Sequence, residues 1–84
     1  MTEKITYYAI IDDYSRRDEP AGVARRIEHD QGQRDEAFGR DLVWGHTTLL
    51  YSAERGNLDK RIEPISEEEA ERIVERIRRE AAGG

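Results

Sequence analysis

Residues 66–84 read SEEEAERIVERIRREAAGG and carry the strongest structural signal in this chain. Ser66, followed three residues later by Glu69, has the pattern of a capping box. In that motif the serine hydroxyl accepts the amide proton of Glu69, and the Glu69 carboxylate accepts the amide proton of Ser66. Apolar residues then recur at the spacing of one helix face, namely Ala70, Ile73, Val74, Ile77 and Ala81. The segment is predicted to be an amphipathic helix, and the preceding residues must supply the surface that covers it.

The first apolar stretch, residues 4–13, predicts a β-strand. One face of this strand would carry Ile5, Tyr7, Ala9 and Ile11, and the other would carry Thr6, Tyr8 and Ile10. Because both faces are largely apolar, we expect an interior strand of a sheet.

Residues 22–30 and 34–38 predict a second and a third strand, with Gln31 and Gly32 as a tight turn between them. A two-residue turn at this place would put Glu28 opposite Asp35, which is an unfavourable pair of like charges. The register of this hairpin and the length of its turn therefore stay open.

Residues 47–56 predict a short helix that begins at a threonine and ends at Gly56 in a left-handed conformation. A strand over 47–51 is the alternative, because that stretch is rich in β-forming residues. The helix is favoured because residues 54–57 read ERGN, which is typical of a helix end. Residues 58–65 predict the last strand. Pro64 lacks an amide proton, so this strand is expected to end there or to lie at a sheet edge.

These elements predict an α+β fold. We expect a three- to four-stranded antiparallel sheet, with the C-terminal helix packed on one face and the short helix before the last strand. The other face, which carries Tyr8, is expected to be open to solvent or to a partner. The 84 residues are expected to form a single domain, with a small core within residues 4–81 and a frayed tail at 82–84.

Composition narrows the range of functions. The chain has no cysteine, which excludes disulfides and thiolate metal sites, and no apolar run follows its N-terminus. We therefore expect a soluble cytoplasmic protein without membrane association and without a cofactor. Charged residues make up 39% of the chain and the net charge is −5, so a general affinity for nucleic acid is not expected.

The chain resembles a group of small uncharacterised conserved proteins of actinobacteria that have no assigned function. The resemblance lies in residues 7–13 (YYAIIDD), 34–38 (RDEAF), 41–44 (DLVW), 54–58 (ERGNL) and 65–70 (ISEEEA). It implies no catalytic residue. The order of strands followed by an Ile-Ser-Glu-Glu helix is also similar to immunity-type domains of bacterial toxin systems, an analogy at the level of the fold.

Few residues suggest catalysis or metal binding. Asp12 and Asp13, with His29 and His46, are the only set that offers metal ligands or an acid–base pair. Neighbouring strand residues point to opposite faces, however, and the two histidines share no ligand spacing. The serines lie outside any nucleophile motif, and the glycines form no phosphate-binding loop. We therefore predict that the protein is not an enzyme, with a small metal-dependent enzyme as the least favoured alternative.

The favoured function is protein–protein interaction, immunity-type or regulatory in character, with an unidentified partner or by homodimerisation. The candidate interaction surface comprises Tyr8, Arg16, Arg17, Arg25, Arg26, Arg34 and Trp44. The main alternative is a nucleic-acid-associated regulator that uses the arginines of the hairpin. Residues 14–40 contain six arginines but also six acidic residues, so that segment is locally neutral, and nucleic acid ranks below a protein partner.

Overall fold

The described part of the chain folds into a five-stranded sheet with one helix against each face. The computed structural model describes residues 3–12, 19–39, 41–56 and 61–83. The elements in chain order are β1 (Lys4–Ile11), β2 (Gly22–His29), β3 (Gly32–Phe38), β4 (Trp44–His46), α1 (Leu49–Glu54), β5 (Arg61–Ile65) and α2 (Glu67–Gly83). The strand order is β4-β3-β2-β1-β5, and every neighbouring pair is antiparallel. The α+β class is confirmed, with β4 as a strand beyond those predicted.

The C-terminal helix follows its predicted pattern closely. Ser66 Oγ accepts the amide proton of Glu69 at 3.1 Å, which is the first half of the capping box. Ala70, Val74 and Ile77 are buried in the helix face that packs on the sheet. Two expectations differ. Ala81 is exposed, and the helix continues through Gly83, so the described part of the expected frayed tail is helical.

The second sheet face is partly covered rather than open. Leu50 of α1 is buried there with Ile10 and Ala24. The predicted helix is confirmed over its strand alternative, and it is followed by Gly56 at φ 72° as expected. Thr47 Oγ1 accepts the amide proton of Leu49 at 3.1 Å and so satisfies a donor at the helix start.

The β2–β3 hairpin has a different register from the one considered in the sequence. His29 pairs with Gly32, so the two turn residues are Asp30 and Gln31 rather than Gln31 and Gly32. Gly32 closes the turn at φ 142°, a conformation that other residues rarely adopt. Glu28 consequently faces Gln33 instead of Asp35, and the predicted clash of like charges does not arise.

The shifted register sets opposite charges against each other. Arg25 lies opposite Glu36, and Arg26 lies opposite Asp35. Such cross-strand pairs stabilise a sheet by about 0.2–1 kcal/mol each relative to alanine pairs. The hairpin therefore adopts the register that pairs both arginines of β2 with carboxylates of β3.

Pro64 lies in β5, which forms one edge of the sheet, as expected for a proline within a strand. None of the helices in the described part of the chain is long and apolar enough to cross a membrane.

Candidate interaction surface around Trp44

The structure divides the predicted surface between two faces of the sheet. Side chains alternate along each strand, and the pairing therefore groups Arg25, Arg34 and Trp44 on the face that carries α2. Tyr8 and Arg26 lie on the opposite face, which carries α1. The predicted set is thus not brought together as one patch. Its remaining members, residues 16 and 17, lie outside the described residues.

Trp44 is held in a cluster of ring and charge contacts on the α2 face. The Arg25 guanidinium lies over the indole, with its Cζ 4.0 Å from the ring centroid. The same guanidinium donates from Nε and Nη2 to Glu36 Oε1, at 2.9 and 2.6 Å. Phe38, which is fully buried, lies 5.5 Å from the Trp44 ring at an interplanar angle of 49°. We call Arg25, Arg34, Glu36, Phe38 and Trp44 the Trp44 cluster.

Arginines exceed carboxylates around this cluster. Glu36 Oε2 also forms an ion pair with Arg34 Nε at 3.3 Å, so two guanidinium groups share one carboxylate. The Arg34 side chain is 58% exposed, whereas that of Glu36 is 17% exposed. Arg78 of α2 adds a third guanidinium, 5.3 Å from the Phe38 ring. This surface is therefore locally positive on a chain whose net charge is negative.

Arg26, on the other face, is part of an ion-pair network within the fold. Its guanidinium donates to both carboxylate oxygens of Asp35, at 2.9 and 3.1 Å, and also pairs with Glu54 of α1. The hydrogen bond that Arg26 donates to Asp35, followed by the one that it donates to Glu54, raises the pKa of Arg26 above its ordinary value despite the opposing effect of burial. Because its donors are engaged, Arg26 links α1 to the sheet and is not free for a partner.

A cleft lies beside β4 on the α1 face. Its volume is about 310 Å³, and its apolar lining includes Ile10, Ala37 and Leu49. Gly45 of β4 also lines it, and a Cβ built at Gly45 would meet no atom within 4 Å. Asp41, which carries a carboxylate, also belongs to this lining. The cleft is therefore an open apolar depression next to a sheet edge.

The residues considered for metal binding lie far apart. Lys4 pairs with Glu28, so His29 lies near the start of β1, whereas Asp12 follows the end of that strand. At about 3.3 Å per residue the two are separated by roughly 25 Å. Asp13 lies outside the described residues. Within the described ranges, no three residues of the types that bind metals come together.

The sequence interpretation missed Glu36, which joins Arg25 and Arg34, and also Asp41 and Gly45. The signal for Glu36 was present, because the order Arg-Arg followed by Asp-Glu across a hairpin pairs all four charges in only one register. A glycine that opens a cleft has no comparable signal, since its effect depends on the neighbouring α1 helix.

No family model, no curated protein and no solved structure matches this chain.

Proposed function

We propose that this protein is a non-enzymatic interaction module of the bacterial cytoplasm, and that it binds a protein partner through the Trp44 cluster. The observation that carries the proposal is the position of the Arg25 guanidinium, held between the Trp44 ring and the Glu36 carboxylate. Tryptophan and arginine are the residue types most enriched among those that dominate protein interfaces.

The cluster is ordered before any partner arrives. Immobilising a flexible side chain on binding costs about 0.5–1.5 kcal/mol, and the two hydrogen bonds to Glu36 already fix Arg25 in the folded protein. Trp44 is half-buried and rests on the buried Phe38 ring, so part of the indole remains accessible on a rigid support. A partner therefore meets a preorganised aromatic and cationic surface.

The hairpin arginines give less support to nucleic-acid binding. Arg25 and Arg34 share Glu36, and Arg26 is bonded to Asp35 and Glu54. Phosphate binding would require these guanidinium groups to exchange carboxylate partners within the fold. A protein partner, which can contact Trp44 and the exposed part of Arg34 together, fits the geometry better.

The test is capture of a partner from a native lysate with the tagged protein, compared between variants. Arg34→Glu reverses an exposed charge of the cluster and should reduce capture at least tenfold. Trp44→Ala should do the same, provided that circular dichroism shows the fold to be kept. Tyr51→Ala is the matched control, because Tyr51 is an exposed aromatic residue of α1 on the other face. Capture that is equal for wild type and Arg34→Glu, or a strict monomer that captures no protein, would contradict the proposal.

A further inference from the structure

The outer edge of β4 has backbone groups without a strand partner among the residues that the structure describes. In the described part of the sheet β4 is the last strand on its side, and the amide of Thr47 donates inward to the Asp35 carbonyl at 3.2 Å. Inward hydrogen bonds alternate along an antiparallel strand, so Gly45, two residues earlier, also directs its backbone groups toward β3. The N–H and C=O groups of Trp44 and His46 therefore point outward, where an added strand can bind them.

An added strand would place one side chain over the cleft. If an incoming antiparallel strand bonds to Trp44 and His46, its intervening residue lies opposite Gly45 in a non-hydrogen-bonded pair. In such pairs the side chains of opposite residues lie close together on the same face. Gly45 has no side chain, and the space above it is open. The incoming side chain therefore enters the 310 Å³ cleft, against Ala37 and Leu49.

The charge at the cleft indicates what this side chain is. Asp41 lies in the cleft lining and makes no ion pair with any residue that the structure describes. The chain as a whole has a net charge of −5. Lysine and arginine can lay a long aliphatic stem on an apolar surface while their charged ends reach a carboxylate. The cleft offers apolar residues for such a stem and the Asp41 carboxylate for its charged end, although His46 and Thr47 also line it.

We propose that the β4 edge accepts an extended segment of a partner protein as a sixth strand, with one lysine or arginine side chain lying in the cleft over Gly45 toward Asp41. This rests on the proposed interaction function and names the chemistry of its partner. Strand addition of this kind obtains affinity from backbone hydrogen bonds and specificity from a pocket for alternate side chains.

A second copy of the chain is a poorer occupant. The two-fold register that uses the outward groups of both Trp44 and His46 sets Gly45 against the partner's Gly45, which leaves both clefts empty. The two copies would also carry equal negative net charges, which repel each other. An extended segment of another protein, with a lysine or arginine opposite Gly45, avoids both difficulties.

The first experiment uses short capped peptides of sequence Thr-Val-X-Val-Thr, in which X is lysine, norleucine or glutamate. Binding is followed by the fluorescence of Trp44, which is the only tryptophan and lies in β4 itself. We expect the lysine peptide to bind about twofold to fivefold more tightly than the norleucine peptide, as for an exposed ion pair. The glutamate peptide should bind most weakly. No saturable change below about 10 mM lysine peptide, or equal binding of the glutamate peptide, would overturn the inference.

Three variants test whether peptide binding depends on the cleft or on the rest of the surface. Gly45→Val places a branched side chain where the peptide residue would enter the cleft, at a position where a Cβ meets no atom within 4 Å, and should weaken the lysine and norleucine peptides at least tenfold. Asp41→Asn should abolish the preference for lysine over norleucine and leave the norleucine peptide unchanged. Tyr51→Ala, the control, should change the affinity of neither the lysine nor the norleucine peptide. Light scattering provides a further check. If it shows a dimer that Gly45→Val dissociates but the peptides do not, the β4 edge binds a second copy of the chain and the inference is overturned.

Capture from lysate distinguishes this inference from the function on which it rests. If Arg34→Glu abolishes capture while Gly45→Val leaves capture unchanged, the interaction function stands and strand addition at β4 is excluded. If Arg34→Glu has no effect, the proposed role of the Trp44 cluster fails, whatever the peptides do.

Discussion

Two glycines of this sheet differ in the space available for a side chain. A Cβ at Gly22 would lie 2.7 Å from the backbone oxygen of Phe38, whereas a Cβ at Gly45 would meet nothing. Gly22→Ala should therefore lower the free energy of unfolding by about 1–3 kcal/mol, as overpacking does. Gly45→Ala, the control, should change it by less than about 0.5 kcal/mol. Urea unfolding measures both, and equal destabilisation by the two variants would contradict the assigned close contact.

Leu42 is strained in the turn between β3 and β4. Its φ is 62°, and its amide donates to the Gly39 carbonyl at 2.9 Å. A left-handed conformation costs a residue with a Cβ roughly 1–2 kcal/mol, and glycine avoids that cost while losing about 0.5–1 kcal/mol in chain entropy. Leu42→Gly should thus raise the free energy of unfolding by about 0.5–1 kcal/mol. Val43→Gly, at a neighbour without positive φ, should lower it, and thermal unfolding of both variants is the measurement.

At the scale of the element, one half-buried ion-pair network joins α1 to the sheet. The side chains of Arg26 and Asp35 are only 16% and 10% exposed. Arg26→Ala would leave the half-buried Asp35 carboxylate without its partner, so we expect a loss of about 1–3 kcal/mol in the free energy of unfolding. Arg34→Ala is the control: its side chain is exposed, and the expected loss is below about 1 kcal/mol. Similar losses in urea unfolding would show that Arg26 does not join α1 to the sheet.

At this scale an element is predicted well when the residues that determine it are close together in the sequence, and poorly when they are far apart. The α2 helix was predictable because its cap and its apolar face are written in neighbouring residues, from Ser66 to Ile77. The β2–β3 register stayed open because Gly32 was taken as a turn residue, although pairing the charges of Arg25 and Glu36 would have decided it. The strand β4 has three residues, too few for an alternating pattern to appear in the sequence.

At the scale of the whole molecule, the sequence range of the interactions also decides how far the division of the predicted interaction surface between two sheet faces could be foreseen. Alternation along β2 already places Arg25 and Arg26 on opposite faces, and the sequence alone was sufficient for that step. The grouping of Trp44 with Arg25 needed β4 and its register on β3, which only the tertiary structure supplies. The cleft at Gly45 required, in addition, the position of α1 over the neighbouring face.

The two edges of the sheet are unequal, and this difference should govern association of the whole protein. Pro64 in β5 offers no amide proton, and proline is a common means of preventing edge-to-edge pairing. Pro64→Thr supplies that donor and a β-forming side chain, so it should produce concentration-dependent association that wild type lacks. Sedimentation velocity over a range of concentrations measures the effect. Arg61→Thr, on the same strand with Pro64 retained, should associate less than Pro64→Thr. If Pro64→Thr sediments as wild type does, the proline does not protect this edge, and β4 loses its distinction as the edge open to a partner strand.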